Sequence, residues 1–154
     1  MYNRKILFAP VITAVLVALL TGCSRPSIEE KRGTESLGHF SKSIDYDNKA
    51  TAIINKGGPY STIDRKDSDK MIEFYEKALV EARQVNIEFL NSKYSEWGTR
   101  YNDHYIKGME LIIKGHREVN ASASLKGQEL VAMWKYWFGE NVKAIKSKGI
   151  QKWK

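Results

Sequence analysis

The most constraining feature of this sequence is a helical repeat of apolar residues between positions 71 and 89. Its members lie four, three, four, three and four residues apart: Met71, Tyr75, Ala78, Ala82, Val85 and Phe89. At 100° per residue, these side chains fall within an arc of about 80° on one face of a helix. The spacing predicts an amphipathic helix that is capped near Asp67 and ends around Tyr94. Such a helix buries its apolar face against other elements, which favours a helical bundle.

The rest of the chain carries helical patterns of the same type. One predicted helix covers residues 37–56 and stops at Gly57-Gly58-Pro59. The sequence does not decide whether residues 45–48 interrupt this helix. Two more cover about 99–117 and about 124–146, with short connections that favour antiparallel packing. No segment shows the alternation of a β-strand. The sequence therefore predicts an all-α fold, a small antiparallel bundle of three or four helices.

The first 23 residues divide into three physically distinct parts. Arg4 and Lys5 form a short positive region, and residues 8–20 form an uncharged apolar run. Small residues then close the segment just before Cys23. This layout is typical of an export signal. The apolar run of 8–20 is shorter than the roughly 20 residues that a membrane-spanning helix needs.

The tetrapeptide Leu20-Thr21-Gly22-Cys23 resembles the lipobox of bacterial lipoproteins. The resemblance implies that the thiol of Cys23 receives a diacylglycerol, that the signal is cut before this cysteine, and that the new amino group is acylated. Ser24 is not acidic, which resembles the pattern of lipoproteins sent to the outer membrane of Gram-negative bacteria. The alternatives are an ordinary secretory signal with a chance cysteine, or an anchored helix with a buried thiol.

The resemblance and the composition together divide the chain into three parts. Residues 1–22 form the signal peptide, residues 23–36 a flexible lipidated tether, and residues 37–154 the helical bundle domain. The tether assignment depends on the polar composition that follows the cysteine, which includes a proline and a glycine. Cys23 is the only cysteine, so the domain has no internal disulfide and is held by packing.

Positive charge is concentrated at the carboxyl end. Residues 97–154 contain eleven Lys and Arg against five Asp and Glu, and no acid follows Glu140. Two interpretations remain open. The lysines around Trp153 could contact anionic lipid headgroups, or they could complement the helix macrodipole and keep the chain soluble. Nucleic acid is not an expected partner, because the first residues predict export and the chain has no recognised binding motif.

No catalytic, cofactor-binding or metal-binding residue is predicted. His104 and His116 lie about 18 Å apart along the axis of one predicted helix, so they cannot share a metal. His116 is expected to be a partly buried, hydrogen-bonded residue at the edge of the core. The chain has no HExxH, GxSxG, SxxK or glycine-rich phosphate motif. The expected modification is the covalent lipid on Cys23.

Aromatic residues offer a candidate binding surface. Trp97 and Tyr101 lie four positions apart, Tyr136 points away from the main stripe of its helix, and Trp153 lies among lysines. Aromatic side chains with a polar group are favoured in interfaces and in sugar- or peptide-binding grooves. The alternative is that these residues fill the core, as we expect of Trp134.

These observations favour a non-enzymatic, lipid-anchored module of the bacterial envelope that works by protein–protein contact. It could be an accessory of an envelope, secretion or conjugation apparatus, or an exclusion or immunity factor. Its partners would be the membrane, through the anchor, and an envelope protein. We expect it on the periplasmic face of the outer membrane if the host is Gram-negative. The alternative is a protein that binds a small ligand or a cell-wall polymer through an aromatic groove. An envelope hydrolase would need clustered polar residues that the sequence does not show.

Overall fold

Six α-helices and one π-helical segment make up the described part of the chain, which covers residues 27–56 and 64–148 of a computed structural model. In chain order they are α1 (Ile28–Lys56), α2 (Arg65–Ala82), α3 (Ile87–Lys93), α4 (Trp97–Arg100), the π segment (Tyr101–Ile106), α5 (Lys107–Arg117) and α6 (Ala121–Ser147). No β-strand occurs in these two ranges. The prediction of an all-α fold is therefore confirmed.

The helices form four antiparallel rods. α1 and α2 run in opposite directions, because His39 contacts Glu81 while Tyr46, farther along α1, stacks on Phe74, earlier in α2. After a break, α3 follows α2 in the same direction along α1, because Glu81 contacts His39 and the Asn86 amide donates to the earlier residue Ser36. α4, the π segment and α5 join into one helix, and α6 returns beside it. The predicted antiparallel bundle is confirmed with four rods, and the helices expected over about 99–117 and 124–146 are present.

α5 and α6 approach each other closely because glycines stand at their contact. A Cβ atom added to Gly127 would lie 2.5 Å from the carbonyl oxygen of Gly108. One added to Gly115 would lie 2.5 Å from the backbone nitrogen of Ser124. A side chain at either position would push the helices apart. Glycine inside a helix costs about 1 kcal/mol relative to alanine, and the close packing offsets that cost here.

α1 begins earlier than the sequence predicts. The prediction of a flexible tether over residues 23–36 is wrong from Ile28 onward, because these residues are helical. The boundary predicted between residues 36 and 37 is therefore also wrong, since α1 crosses it. Gly33 and Ser36 are buried, and the Ser36 Oγ accepts a hydrogen bond of 2.8 Å from the backbone amide just before α3. A Cβ at Gly33 would collide with the ring of Phe89. The contact between α1 and α3 requires small residues at these two positions. The small and polar composition that predicts a tether therefore belongs to a packed face of α1. The residues before position 27 lie outside the described part.

The second predicted helix breaks where the apolar pattern continues. α2 and α3 are separate helices, whereas the sequence predicts one helix that ends around Tyr94. The Asn86 side chain accepts a hydrogen bond of 2.9 Å from the Phe89 amide and so caps α3. Val85, inside the break, is still buried. The apolar spacing continues across the break, so the sequence pattern does not indicate that the helix ends there.

Aromatic rings fill the centre of the bundle. The ring of Phe40 on α1 lies 5.0 Å from Tyr101 and 5.4 Å from Trp97, between centroids. Trp134 on α6 lies 5.2 Å from Tyr101 and 5.0 Å from Phe138. Both tryptophans are buried, so the expectation that Trp134 fills the core is confirmed. Pairs of rings at these distances stabilise the fold beyond the contribution of the apolar area that they bury.

Candidate functional site

The four aromatic residues predicted as a binding surface do not come together. Trp97 and Tyr101 are 0% exposed, so the prediction that they form a binding surface is wrong. Tyr136 is 75% exposed on α6. Trp153 lies outside the described residues. A spacing of four places two aromatic side chains on one face of a helix, but it does not say whether that face meets the core or the solvent.

Two buried tyrosines of the π segment hold a serine of α1. The Tyr101 hydroxyl lies 2.6 Å from the Ser43 Oγ, which itself donates to the Phe40 carbonyl oxygen at 2.8 Å. The Tyr105 hydroxyl donates to the Ser43 carbonyl oxygen at 3.0 Å. The two tyrosine rings stack with centroids 4.9 Å apart. Burial raises the pKa of both tyrosines, so both hydroxyls stay protonated and act as donors.

A buried carboxylate belongs to the same polar region. α1 runs without interruption through residues 45–48, where the sequence allowed a break. Asp47, within this stretch, is 1% exposed. Lys135 of α6 donates to the Asp47 Oδ1 at 3.1 Å and to the Thr51 Oγ1 at 3.3 Å. Burial raises the pKa of Asp47, and the charge and hydrogen bond of Lys135 oppose that effect in part. An ion pair with one buried member thus links α1 to α6.

This polar network is positioned to fix the packing of the helices. Asp47, Tyr101 and Tyr105 are at most 1% exposed, so a molecule from solvent cannot reach them while the helices stay packed. A buried ion pair adds little net stability, but a packing that separates the two charges is strongly disfavoured. The network therefore accounts for how α1, the π segment and α6 keep one register.

An apolar groove of about 460 Å³ opens at the end of the bundle where α1 ends and α5 turns into α6. We call it the distal groove, and its lining residues are Ile54, Met71, Ile72, Tyr75, Ile112, Gly115, His116, Val119, Ala121, Ser124 and Gln128. Burial raises the pKa of Tyr75 to about 12, so its hydroxyl is neutral at ordinary pH. The groove, whose lining is mostly apolar, can therefore accept an apolar group.

Val119 lines the distal groove in a backbone conformation that valine rarely adopts. Its φ is 53°, in the left-handed region, and the residue is 93% exposed. The turn is closed by the Asn120 amide, which donates to the Gly115 carbonyl oxygen at 2.7 Å, and by the Val119 amide, which donates to the His116 carbonyl oxygen at 3.3 Å. Glycine is the usual residue at this position of such a helix ending. A side chain there costs about 1–2 kcal/mol, and one in solvent gains little from packing in return.

The sequence patterns predict neither the distal groove nor the conformation of Val119. The available signal was small: no glycine follows the predicted end of the helix at Arg117, although one is common there. The groove itself is formed by all four rods. No spacing within a single helix could have indicated it.

The histidines are spread over the bundle. His116 is 33% exposed at the distal groove, and its Nε2 lies 3.6 Å from the Asp69 carboxylate. Its predicted position at the edge of the core is confirmed, although Asp69 is too far away for a hydrogen bond. His39 of α1 contacts Glu81 of α2 at 2.7 Å, whereas His116 belongs to α5. Over residues 27–56 and 64–148, no three His, Cys, Asp or Glu residues are arranged to hold a metal ion.

No family model, no curated protein and no solved structure matches this chain. Within the described residues, no helix combines the length and the apolar character needed to cross a membrane.

Proposed function

We propose that the chain is a non-enzymatic bacterial lipoprotein, anchored through Cys23, that works by binding another protein of the cell envelope. The observation that carries the proposal is Val119, held in a strained left-handed conformation and exposed to solvent at the edge of the distal groove. Backbone strain concentrates at functional sites, and contiguous exposed apolar surface, here Val119 with Ile54 at the same groove, marks sites of interaction. The partner would place apolar side chains in the distal groove and against Val119.

The position of α1 supports this arrangement of anchor and groove. Ser27 follows Cys23 by four positions, a reach of about 14 Å at most in extended chain. α1 has 29 residues, which corresponds to a length of about 43 Å at 1.5 Å per residue. Ile54, near the far end of α1, lines the distal groove. An anchored bundle can therefore hold this groove roughly 40 Å from the lipid, where it is open to other proteins.

The signal layout and the lipobox resemblance support export and acylation. In a Gram-negative host, the location would be the periplasmic face of the outer membrane. The function fits an accessory of an envelope, secretion or conjugation apparatus, or an exclusion or immunity factor. The alternative of an aromatic groove for a small ligand or a cell-wall polymer loses its main support, because Trp97 and Tyr101 lie in the core.

Acylation is tested by Cys23→Ala in the full chain. The wild-type protein should lose residues 1–22, gain the mass of its acyl groups and stay with membranes after a salt wash. The variant should accumulate as an unprocessed precursor without lipid. Ser24→Ala is the matched control, because alanine is also small and non-acidic, and it should be processed like the wild type. Normal processing and membrane retention of the Cys23→Ala variant would rule out the anchor.

Partner binding is tested in cells with a photo-crosslinking amino acid at Val119 or at Ile54. Both positions border the distal groove, so both should capture the same protein. Lys42 is exposed on α1 about 18 Å along the helix from Ile54, and it serves as the control that should capture none. Different products at Val119 and Ile54, or equal capture at Lys42, would overturn the contact surface.

A further inference from the structure

The two ends of the described chain lie at the same end of the bundle. Ser27, just before α1, and Lys148, just after α6, line one groove of about 450 Å³. Lys93, in the last turn of α3, lines it as well. This agrees with the antiparallel rods, which bring the end of α6 beside the start of α1. We call Ser27, Lys93 and residues 143–148 the anchor end.

The anchor end is the part of the bundle that an acylated Cys23 would keep closest to the lipid. The four positions from Cys23 to Ser27 reach about 14 Å at most. The headgroup layer adds about 5–8 Å on each side of the hydrocarbon. The last turns of α6 therefore lie within reach of the headgroups, whereas the distal groove does not.

Three exposed lysines stand at the end of α6 without a carboxylate partner in the described part of the chain. Lys143, Lys146 and Lys148 are exposed, and no acid follows Glu140 in the sequence. In the described ranges these three belong to no ion pair. The Lys and Arg residues that pair with carboxylates are Lys77, Arg83, Arg100, Lys107, Arg117, Lys126 and Lys135.

The acids at the anchor end lie on another helix. Glu29 and Glu30 belong to the first turn of α1, where the positive end of the helix dipole stabilises them. Glu30 also accepts a hydrogen bond of 3.3 Å from the Ser27 amide. Lys148 lines the same groove as Glu29 and Glu30, whereas Lys143 and Lys146 are exposed on α6. The α6 side of the anchor end is therefore its lysine-rich side.

We infer that the anchor end binds anionic phospholipid headgroups through Lys143, Lys146 and Lys148, so that the bundle stands upright on the membrane. This inference rests on the proposed anchor at Cys23. Each lysine near an anionic surface strengthens binding about fivefold, so three together strengthen it roughly 100-fold. This gain is sufficient to choose one orientation among those that the lipid anchor alone allows.

The test uses the acylated full-length product, purified in detergent and reconstituted into vesicles of phosphatidylcholine with or without phosphatidylglycerol. Lysines are labelled with an amine-reactive reagent, and each site is quantified by mass spectrometry. Labelling of Lys143, Lys146 and Lys148 should fall several-fold in the anionic vesicles and recover in 0.5 M salt. The exposed lysines at the opposite end serve as the internal control, and they should label equally in both vesicles: Lys56, Lys66 and Lys70.

A second measurement compares two variants with the same change of charge. One replaces Lys143, Lys146 and Lys148 by Gln, and the other replaces Lys56, Lys66 and Lys70 by Gln. Energy transfer from a dye on Val119→Cys to a headgroup dye reports how far the distal end stands from the membrane. On anionic vesicles, only the first variant should show a shorter distance between position 119 and the headgroups than the protein with all its lysines.

The outcomes separate the two proposals. Protein that floats with both kinds of vesicle, but whose two sets of lysines label alike in each, would overturn the headgroup surface and leave the anchor standing. Protein that carries no acyl mass and does not float would overturn both. A shorter distance in both triple variants would assign the effect to net charge and also overturn the surface.

Discussion

The Lys135 Nζ of α6 lies 2.9 Å from the Oδ2 and 3.1 Å from the Oδ1 of Asp47, a residue of α1 that is only 1% exposed. The side chain of Lys135 is 42% exposed, so water reaches one member of the pair and not the other. Removing the carboxylate from water costs several kcal/mol, and the lysine offsets part of that cost. The pair therefore contributes more to the register between α1 and α6 than to net stability.

The free energy of unfolding should depend on pH because the carboxyl group of Asp47 is buried. Burial raises its pKa above the ordinary 3.8, so the folded protein holds this proton more tightly than the unfolded chain does. The stability that Asp47 contributes is therefore fully present below pH 3.8 and is lost as the pH rises through the folded pKa. The free energy of unfolding of the wild type, minus that of Asp47→Asn, should fall between pH 3 and pH 7. Urea unfolding of both proteins measures this, and a difference that rises with pH would show that attraction to Lys135 outweighs burial.

Lys135→Met should destabilise the protein, because it leaves the Asp47 carboxylate buried without its cation. Breaking a fully buried pair costs about 3–5 kcal/mol, and the exposure of Lys135 reduces our expectation to roughly 2 kcal/mol. Lys126→Met is the matched control on the same helix. Lys126 pairs with Glu129 in solvent, at 63% and 66% exposure, so its loss should change the unfolding midpoint very little. Equal midpoints for the two variants would contradict the role of the Asp47 pair.

Two glycines of α6 should respond to alanine in opposite directions. Gly127→Ala places a Cβ 2.5 Å from the Gly108 carbonyl oxygen and 2.7 Å from the Ile112 nitrogen, so α5 and α6 must separate. We expect a loss of about 1–3 kcal/mol, as for other overpacked contacts. A Cβ at Gly139 meets no atom within 4 Å, and Gly139→Ala should stabilise the helix by up to about 1 kcal/mol. Thermal unfolding of both variants tests this, and a stabilising Gly127→Ala would contradict the close contact between α5 and α6.

The sequence was sufficient for the fold class because helical spacing is local. The stripe through Trp134 predicts a buried face, and the structure confirms it. The spacing of Trp97 and Tyr101 does not decide their position, because an aromatic pair on one face suits a core and an interface equally. The burial of Asp47 has no local signal either, because it depends on Lys135, which lies 88 positions away. Pairs that are distant in sequence leave no periodic signal in either helix.

The strain at Val119 should be released by glycine and not by alanine. Glycine adopts a φ of 53° freely, whereas any L-residue with a Cβ keeps most of the cost of about 1–2 kcal/mol. Glycine also loses more freedom on folding, so we expect a net gain of about 1 kcal/mol and a melting temperature higher by about 3 °C. Val119→Ala shortens the side chain without changing φ and should melt close to the wild type.

The two variants should nevertheless behave alike toward a partner, because both remove the exposed isopropyl group from the distal groove. With the crosslinking amino acid kept at Ile54, capture should fall in Val119→Gly and in Val119→Ala. A glycine variant that is more stable and binds less would show that the strain is retained for contact and not for folding. A glycine variant that melts below the wild type would mean that Val119 makes a stabilising contact within the chain. That result would remove the observation on which the protein-binding proposal rests.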